Sequence, residues 1–252
     1  MSRIVAFANQ KGGVGKSTSA LNVAAAVVER GQRALLIDLD PQGSLTIAAG
    51  VDRAALSRSI YDALIRPDVP LESVILPAKP GIDLAPAVRD LSGAKVELVG
   101  MLNRERALAR KLTPIRDRYD FIAIDCEPDL GLLTINALTA ADQVLIPCEC
   151  QFLALQGMQE LLKTIQDVQA YTNPGLQVIG ILPTKYDSRT LHNREALEEM
   201  RTSYDGLVMD PPIRFRIGLA DAAISGKTIF EFDRRSDSAA EYRHVAEVIL
   251  NG

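Results

Sequence analysis

Short apolar runs alternate with amphipathic stretches along most of the chain. A run that is apolar on both sides predicts a parallel strand buried between two layers of helices. The stretches between these runs repeat apolar residues at helical spacing. The alternation therefore predicts an α/β fold, with a mostly parallel central sheet and helices on both faces. The predicted strands are residues 4–8, 33–38, 82–87, 120–125, 143–147 and 178–184.

The stretches between the strands are long enough for helices of two or more turns. The clearest are at 16–30, 52–66, 91–112, 153–171 and 238–250, and a further charged helix ends near Ser203. Within 91–112 we expect four residues to face the core, namely Leu98, Met101, Leu102 and Leu108. Since the alternation continues to the last helix, we predict a single domain over 1–252.

A glycine-rich loop, NQKGGVGKST at residues 9–18, joins the first strand to the first helix. Glycines let backbone N–H groups converge on an anion, and the helix N-terminus adds the positive end of its dipole. Lys16 is placed to reach the β- and γ-phosphates of a nucleotide, and the Ser17 hydroxyl to bind Mg²⁺. The predicted nucleotide contacts in the loop are Lys11, Gly12, Gly13, Val14, Gly15, Lys16, Ser17 and Thr18.

The loop departs from the strict phosphate-binding pattern at one position. Gln10 stands where that pattern has glycine, and a second lysine, Lys11, follows it. Residues 11–17, KGGVGKS, resemble the deviant Walker A motif of the ParA/MinD class of P-loop ATPases. The resemblance implies that ATP is the nucleotide. It also implies a catalytic role for both lysines, with Lys11 crossing a dimer interface to the partner's nucleotide.

Two acids end the second predicted strand, in the segment DLDPQG at residues 38–43. Ligands in such sheets bind at the carboxyl ends of strands, and alternation puts Asp38 and Asp40 on the same side. Acids that merely cap the next turn are the alternative. The segment is similar to the DxDPQG segment of ParA proteins, which implies that Asp40 orients the attacking water while Asp38 supports Mg²⁺ and the loop.

Residues 120–125, DFIAID, have the Walker B pattern of an apolar strand ending in an acid, and Asp125 is the predicted third contributor to the Mg²⁺ site. Residues 130–138, LGLLTINAL, are very similar to the ParA family. Where that family usually has two prolines, this chain has Glu127-Pro128-Asp129. The two added acids either tune metal and nucleotide binding or point outward and do neither.

Cys148 and Cys150 are one residue apart, so both project to the same side of a strand. A metal or iron–sulfur site is one interpretation of such a pair. Structural cysteines are the favoured interpretation, because the spacing is wrong for the clusters of related ATPases and no histidine lies nearby.

The ParA resemblance extends to the last third of the chain. It implies that Pro211, Pro212 and Ile213 close over the adenine, and that the helix starting near Leu153 helps to form the dimer interface. Arg189 matches a DNA-contacting arginine of the family. Gly218 stands where the family often has a second such arginine, so Arg214 and Arg216 are the predicted substitutes.

Composition narrows the possible partners. The formal net charge of −4 excludes a globally basic nucleic-acid binder, so any DNA contact has to come from a local patch. The N-terminal apolar run is too short for a signal peptide, and no run reaches the ~18 residues of a membrane span. The sequence also ends without the basic amphipathic tail of MinD-type proteins. We therefore expect a cytoplasmic protein that does not bind membranes.

These features predict a small ParA-type partitioning ATPase that uses ATP and Mg²⁺. Two ATP-bound subunits are expected to form a homodimer that binds duplex DNA without sequence preference and associates with the nucleoid. A ParB-type partner is expected to stimulate slow hydrolysis to ADP and phosphate. Three alternatives remain open at this point: a MinD-like membrane-positioning ATPase, a P-loop small-molecule ligase, and a nucleotide binder without hydrolysis.

Overall fold

A computed structural model describes residues 2–151 and 157–251 and confirms the α/β prediction. Seven strands form one sheet in the order β3-β4-β2-β5-β1-β6-β7. All neighbours are parallel except β3 and β4, which pair antiparallel at one edge. The strands are β1 (Arg3–Phe7), β2 (Ala34–Leu39), β3 (Leu76–Lys79), β4 (Ile82–Ala85), β5 (Phe121–Cys126), β6 (Gln143–Glu149) and β7 (Gln177–Thr184).

The sheet is buried on both faces, as its apolar strands require. In β1, Ile4 and Ala6 enter one hydrophobic core while Val5 and Phe7 enter the other. Because successive side chains point to opposite faces, one strand supplies both cores. The helices are α1 (Lys16–Glu29), α2 (Ser44–Ala48), α3 (Ile60–Ile65), α4 (Leu91–Val99), α5 (Ala107–Leu112), α6 (Leu132–Ala140), α7 (Met158–Tyr171), α8 (Leu191–Ser203), α9 (Ile217–Ile224), α10 (Ile229–Asp233) and α11 (Asp237–Asn251).

Helices α1 and α11 cover the face that carries Val5, and α3 to α7 cover the face that carries Ile4. The parallel strands all end at the same edge of the sheet. Residues that follow β1, β2, β5, β6 and β7 are therefore brought together there, although they are far apart in the chain.

The predicted helix over 91–112 is wrong in its middle. Helix α4 ends at Val99, and a 3₁₀ turn at Arg104–Arg106 precedes α5. Asn103 has φ 52°, a left-handed conformation that no helix interior tolerates. Leu98 and Leu108 are buried and Met101 is half-buried, but Leu102 is 90% exposed because it lies in the break.

One further boundary differs from the prediction. Between residues 52 and 66, a 3₁₀ turn at Arg53–Ala55 is separated from α3, which begins where Asp62 accepts a hydrogen bond from the N–H of Ser59 at 2.9 Å. Pro77 lies in the edge strand β3, a position where the missing N–H of proline is tolerated. The start of the predicted helix at 153–156 lies outside the described residues.

In the part of the chain that the structure describes, every helix is too short or too polar to cross a membrane.

Candidate nucleotide site

The glycine-rich loop leaves β1 and enters α1 at Lys16, as the sequence predicts. Gly13 and Gly15 have φ of 75° and 89°, which only glycine adopts without strain. A Cβ atom on Gly12 or Gly13 would meet no atom within 4 Å, so the loop backbone borders open space. The backbone N–H groups at the start of α1 thus face a space that an anion can enter.

The two lysines of the loop point in different directions. Lys16 is buried, and its Nζ donates to the carbonyl oxygen of Lys11 at 3.1 Å. Burial lowers its pKa, while the nearby carboxylates of Asp125 and Asp40 favour the charged form. The Nζ of Lys11 instead contacts Glu149 Oε2 and Gln151 Oε1, both at 3.1 Å. The ammonium group of Lys16 therefore stays at its own loop, whereas that of Lys11 extends away from the loop.

A cavity of about 460 Å³ lies over the loop. Six of the eight predicted loop residues and the site acid Asp40 line it, whereas Lys11 and Val14 do not. Val14 is buried, and its carbonyl accepts a 2.8 Å hydrogen bond from the Thr184 hydroxyl, which ties the loop to the end of β7. The lining residues are Gly12, Gly13, Gly15, Lys16, Ser17, Thr18, Asp40, Ser44, Ile47, Ala48, Pro128, Lys185, Ala223 and Ile224.

Asp38 and Asp125 are side by side on adjacent strands and both are fully buried. Both side-chain oxygens of Asp38 already accept hydrogen bonds. Its Oδ2 accepts from the backbone N–H and the hydroxyl of Thr46 at 2.8 and 2.7 Å, and Oδ1 accepts from the N–H of Asp40 at 3.1 Å. These bonds hold the turn after β2, which is the loop role predicted for Asp38, and its support of Mg²⁺ stays a prediction.

Asp125 differs, because neither of its oxygens has a hydrogen-bond partner of normal geometry. Burial and the neighbouring Asp38 raise its pKa well above the usual range, which the Ser17 hydroxyl and Lys16 only partly offset. A buried carboxylate in this state is stabilised by a cation. Since Mg²⁺ is commonly held by one carboxylate, a hydroxyl and phosphate oxygens, Asp125 and Ser17 fit that ion.

The unpaired carboxylate predicts an unusual pH dependence of the nucleotide-free protein. Burial raises the pKa of Asp38 to about 6, and that of Asp125 rises in the same direction. The folded state therefore holds these protons more tightly than the unfolded state, so their stabilising effect is present at low pH. The free energy of unfolding should fall as pH rises from about 4 through 6 and beyond.

Asp125→Asn should flatten this curve and abolish stabilisation by MgATP, which in the parent protein reaches about 2.7 kcal/mol at 100 times Kd. Urea unfolding across pH and thermal shifts with MgATP measure the two effects. Asp129→Asn is the matched control, because Asp129 is 56% exposed. An Asp125→Asn protein with the parent pH curve and the parent MgATP shift would contradict the assignment.

Asp40 lines the cavity at the tip of the turn that follows β2. Its Oδ1 accepts the N–H of Gln42 at 2.8 Å, and Gly43 closes the turn in a left-handed conformation with φ 67°. Arg53 clamps this turn from outside by donating to the carbonyls of Pro41 at 2.8 Å, Ala87 at 3.1 Å and Gln42. Nothing in the sequence pattern distinguishes Arg53, because its partners are three main-chain oxygens.

Glu127 and Asp129, the two acids added after Asp125, both contact a lysine of α4. Lys95 Nζ lies 2.7 Å from Glu127 Oε2 and 3.1 Å from Asp129 Oδ2. Glu127 is buried beside this lysine, and neither acid lines the cavity, whereas Pro128 between them does. One of the two added negative charges is therefore compensated by Lys95.

A second cavity of about 130 Å³ adjoins the first. It is bordered by Gly15, Thr18, Thr184, Lys185, Ala223 and Tyr242 together with residues 213–216, 219 and 220. Ile213, a predicted adenine contact, lies in this lining, while Pro211 and Pro212 do not. The smaller cavity has the apolar character that a purine ring requires.

The three predicted DNA-binding arginines have different surroundings. Arg189 is 85% exposed and makes a two-bonded pair with Asp187 at 2.8 and 2.9 Å, which lowers the pKa of Asp187 to about 2. Arg214 is exposed and lies on a segment hydrogen-bonded to Tyr186, which precedes Arg189 by three positions in the chain. Arg216 is paired with Glu241 at 2.9 Å and with Asp237 at 3.1 Å. DNA binding by Arg216 stays a prediction, and its two ion pairs make this arginine the least available of the three.

Cys126, Cys148 and Cys150 are free and buried. Burial raises the pKa of Cys148 and Cys150 to about 12 and that of Cys126 further. Among residues 2–151 and 157–251 there is no group of three or more histidine, cysteine or acidic side chains that could hold a metal ion.

The fold and the site define a P-loop protein of the α/β class, and comparison with known proteins narrows the class to a family. The AAA domain family model matches residues 2–178. The sporulation initiation inhibitor protein Soj of Bacillus subtilis is 40% identical over 253 residues, covering 100% of both chains. The chromosome partitioning protein ParA of Myxococcus xanthus is 41% identical over 241 residues, covering 95% of this chain and 85% of the other.

A solved structure shows a comparable sequence identity. Cobyrinic acid a,c-diamide synthase from Mycobacterium smegmatis with bound ADP and magnesium superposes with a TM-score of 0.89 at 41% identity, covering 100% of this chain and 95% of that chain. The full-length match to Soj and ParA confirms the resemblance that the motifs carry. The chain belongs to the ParA/Soj family of P-loop partitioning ATPases.

Proposed function

We propose that this chain is an ATP-dependent, DNA-binding partition ATPase that works as a nucleotide-sandwich dimer in the cytoplasm, on the nucleoid. The observation that carries the proposal is the direction of Lys11. Its ammonium group lies outside the cavity of its own loop, whereas Lys16 lies within it. A phosphate-loop lysine whose ammonium group lies outside its own cavity supports the proposal that it contacts a nucleotide held by a second subunit.

In the proposed reaction, Lys16 and the loop N–H groups hold the β- and γ-phosphates of ATP. Asp125 and Ser17 would hold Mg²⁺, and the ion would neutralise negative charge on the phosphates. Asp40 orients a water molecule toward the γ-phosphate, and Lys11 of the partner subunit completes the charge around the phosphates. Hydrolysis to ADP and phosphate then removes the contacts on which the dimer depends, and a ParB-type partner accelerates that step.

The proposed DNA surface consists of Arg189 and Arg214 from each subunit. Arg189 has to exchange Asp187 for a phosphate, which costs little at an exposed site because surface ion pairs are weak. Four such contacts per dimer predict a salt dependence of DNA affinity with a log–log slope of about −4. Dimerisation is thus required for DNA binding, because two contacts alone hold DNA too weakly.

The test is binding of a duplex of unrelated sequence by the Asp40→Ala protein, measured by fluorescence anisotropy with ATP, ADP or no nucleotide. We expect binding with ATP only, and loss of that binding between about 50 and 200 mM salt. Arg214→Ala should reduce the slope by about 2, since each subunit loses one contact. Arg110→Ala is the control, because Arg110 is exposed on α5, which packs into the core on the other face of the sheet from Ile213, the neighbour of Arg214.

Arg216→Ala is expected to act differently, by lowering the stability of the fold through the loss of the Glu241 pair. An ATP-bound Asp40→Ala protein that ignores DNA, or a slope unchanged by Arg214→Ala, would contradict the proposed surface. Co-sedimentation with liposomes in the ATP state would instead favour the membrane-positioning alternative.

A second candidate, an ATP-dependent ligase, is favoured by the likeness to the Mycobacterium smegmatis synthase. Amide formation from glutamine requires a reactive thiolate or an equivalent nucleophile to release ammonia. The three cysteines of the chain are buried with raised pKa values, so none of them suits that role. ATP turnover that depends on a carboxylate metabolite and an ammonia source, and that ignores DNA, would support the ligase.

A further inference from the structure

Lys185 occupies the junction between the two cavities of the site. The larger cavity over the glycine-rich loop and the smaller one beside it share four lining residues, and Lys185 is the only charged one. The others are Gly15, Thr18 and Ala223. A ligand that extends from one cavity into the other has to pass this side chain.

The backbone at Lys185 is held in an uncommon conformation. Its φ of 52° lies in the left-handed region, which costs energy for a residue with a side chain. Both neighbours fix this geometry: the Thr184 hydroxyl donates to the carbonyl of Val14, and the N–H of Tyr186 donates to the carbonyl of Ile213 at 3.1 Å. Strain held in place by its surroundings is typical of functional positions.

The charge of Lys185 is only loosely compensated. Its Nζ lies 3.9 Å from Glu149 Oε1, too far for a hydrogen bond, and the side chain is 43% exposed. The other oxygen of Glu149 is taken by Lys11 at 3.1 Å. One carboxylate thus serves two ammonium groups, so Lys185 can accept a stronger anionic partner from the cavity.

We propose that Lys185 binds the α-phosphate of the nucleotide and that Glu149 is its counter-ion in the empty site. The inference rests on the proposed nucleotide binding and deepens it. With the β- and γ-phosphates at the glycine-rich loop and the base in the smaller cavity, the α-phosphate lies at the junction that Lys185 occupies. Glu149 competes with that phosphate for the lysine.

Calorimetric titration with MgADP and MgATP, at protein concentrations too low for dimers, tests the contact. Lys185→Met keeps the length of the side chain and removes its charge. We expect its affinity to fall about tenfold for both nucleotides, because both contain the α-phosphate. Lys227→Met is the matched control: Lys227 is exposed and lines neither cavity, so its affinity should not change.

The Glu149→Gln variant tests whether Glu149 competes with the α-phosphate for Lys185 or only supports the fold. It should tighten nucleotide binding two- to threefold, about the effect expected for removing a weak competing charge. The same change in the Lys185→Met background should have no effect, since the competition no longer exists. This dependence is one that a purely structural role of Glu149 would not produce.

Each result of these titrations bears on a different part of the proposal. Unchanged affinity of Lys185→Met for both nucleotides would overturn the proposal, and a loss confined to MgATP would place the contact at the γ-phosphate and overturn the assignment to the α-phosphate. A Glu149→Gln effect that persists without Lys185 would overturn the role of Glu149 as counter-ion. Failure of the parent protein to bind either nucleotide would instead refute the proposed function.

Discussion

Replacement of Asp40 by alanine is expected to lower ATP hydrolysis by about 100-fold or more and to leave the ATP-bound dimer trapped. The physical reason is that the proposed water-orienting group and the proposed phosphate-binding groups are different residues of the cavity. Asp40 borders the space over the loop, while nucleotide binding depends on Lys16 and on the N–H groups at the start of α1. Removal of the carboxylate therefore removes the orientation of water and spares most of the binding energy.

The matched variant is Asp40→Asn. Asparagine keeps an oxygen that can accept the N–H of Gln42, so the turn that Arg53 clamps should stay in place. Single-turnover hydrolysis and light scattering with ATP measure the two effects. We expect both variants to hydrolyse slowly and to remain dimeric. Hydrolysis at the parent rate in Asp40→Asn would show that the carboxylate is not needed for the reaction.

The parts of the site that the sequence predicts are those determined locally. A glycine-rich loop after a buried strand fixes its own geometry, and acids at the ends of parallel strands meet because the strands are parallel. The predictions for Lys16, Ser17, Asp40 and Asp125 rest on features of this kind. Even the broken helix has a local signal, since Gly100 and Asn103 are poor helix formers.

The residues that sequence reasoning missed act across long separations. Lys95 neutralises Glu127, Arg53 clamps the turn after β2, and Glu149 holds Lys11 from 138 positions away. Such pairings depend on how strands are ordered in the sheet, which the local pattern does not specify. Lys185 had one usable signal, because it directly follows a buried strand at the edge where ligands bind.

The hydrogen bonds of Asp38 bear on the two roles predicted for it. The sequence places it beside Asp40, and the ParA resemblance implies support of both Mg²⁺ and the loop. The structure assigns its oxygens to Thr46 and to the N–H of Asp40. These three hydrogen bonds account for the loop role. The support of Mg²⁺ by Asp38 stays a prediction, and Asp125, whose two oxygens have no hydrogen-bond partner, is the better candidate for a direct contact.

Lys11→Ala in the Asp40→Ala background is expected to bind ATP with nearly the parent affinity and to lose the dimer. In the proposed dimer two such contacts cross the interface, and charge-assisted contacts contribute about 1.5 kcal/mol or more each, so dimer affinity should fall at least about 100-fold. ATP affinity should persist because Lys11 does not line the cavity of its own subunit. Light scattering across protein concentration gives the first quantity and calorimetric titration the second. Lys16→Ala is the comparison variant, which should lose ATP binding and the dimer together. An ATP-dependent dimer of parent affinity in Lys11→Ala would contradict the sandwich arrangement, whereas loss of ATP binding by the monomer would mean that Lys11 acts in its own site.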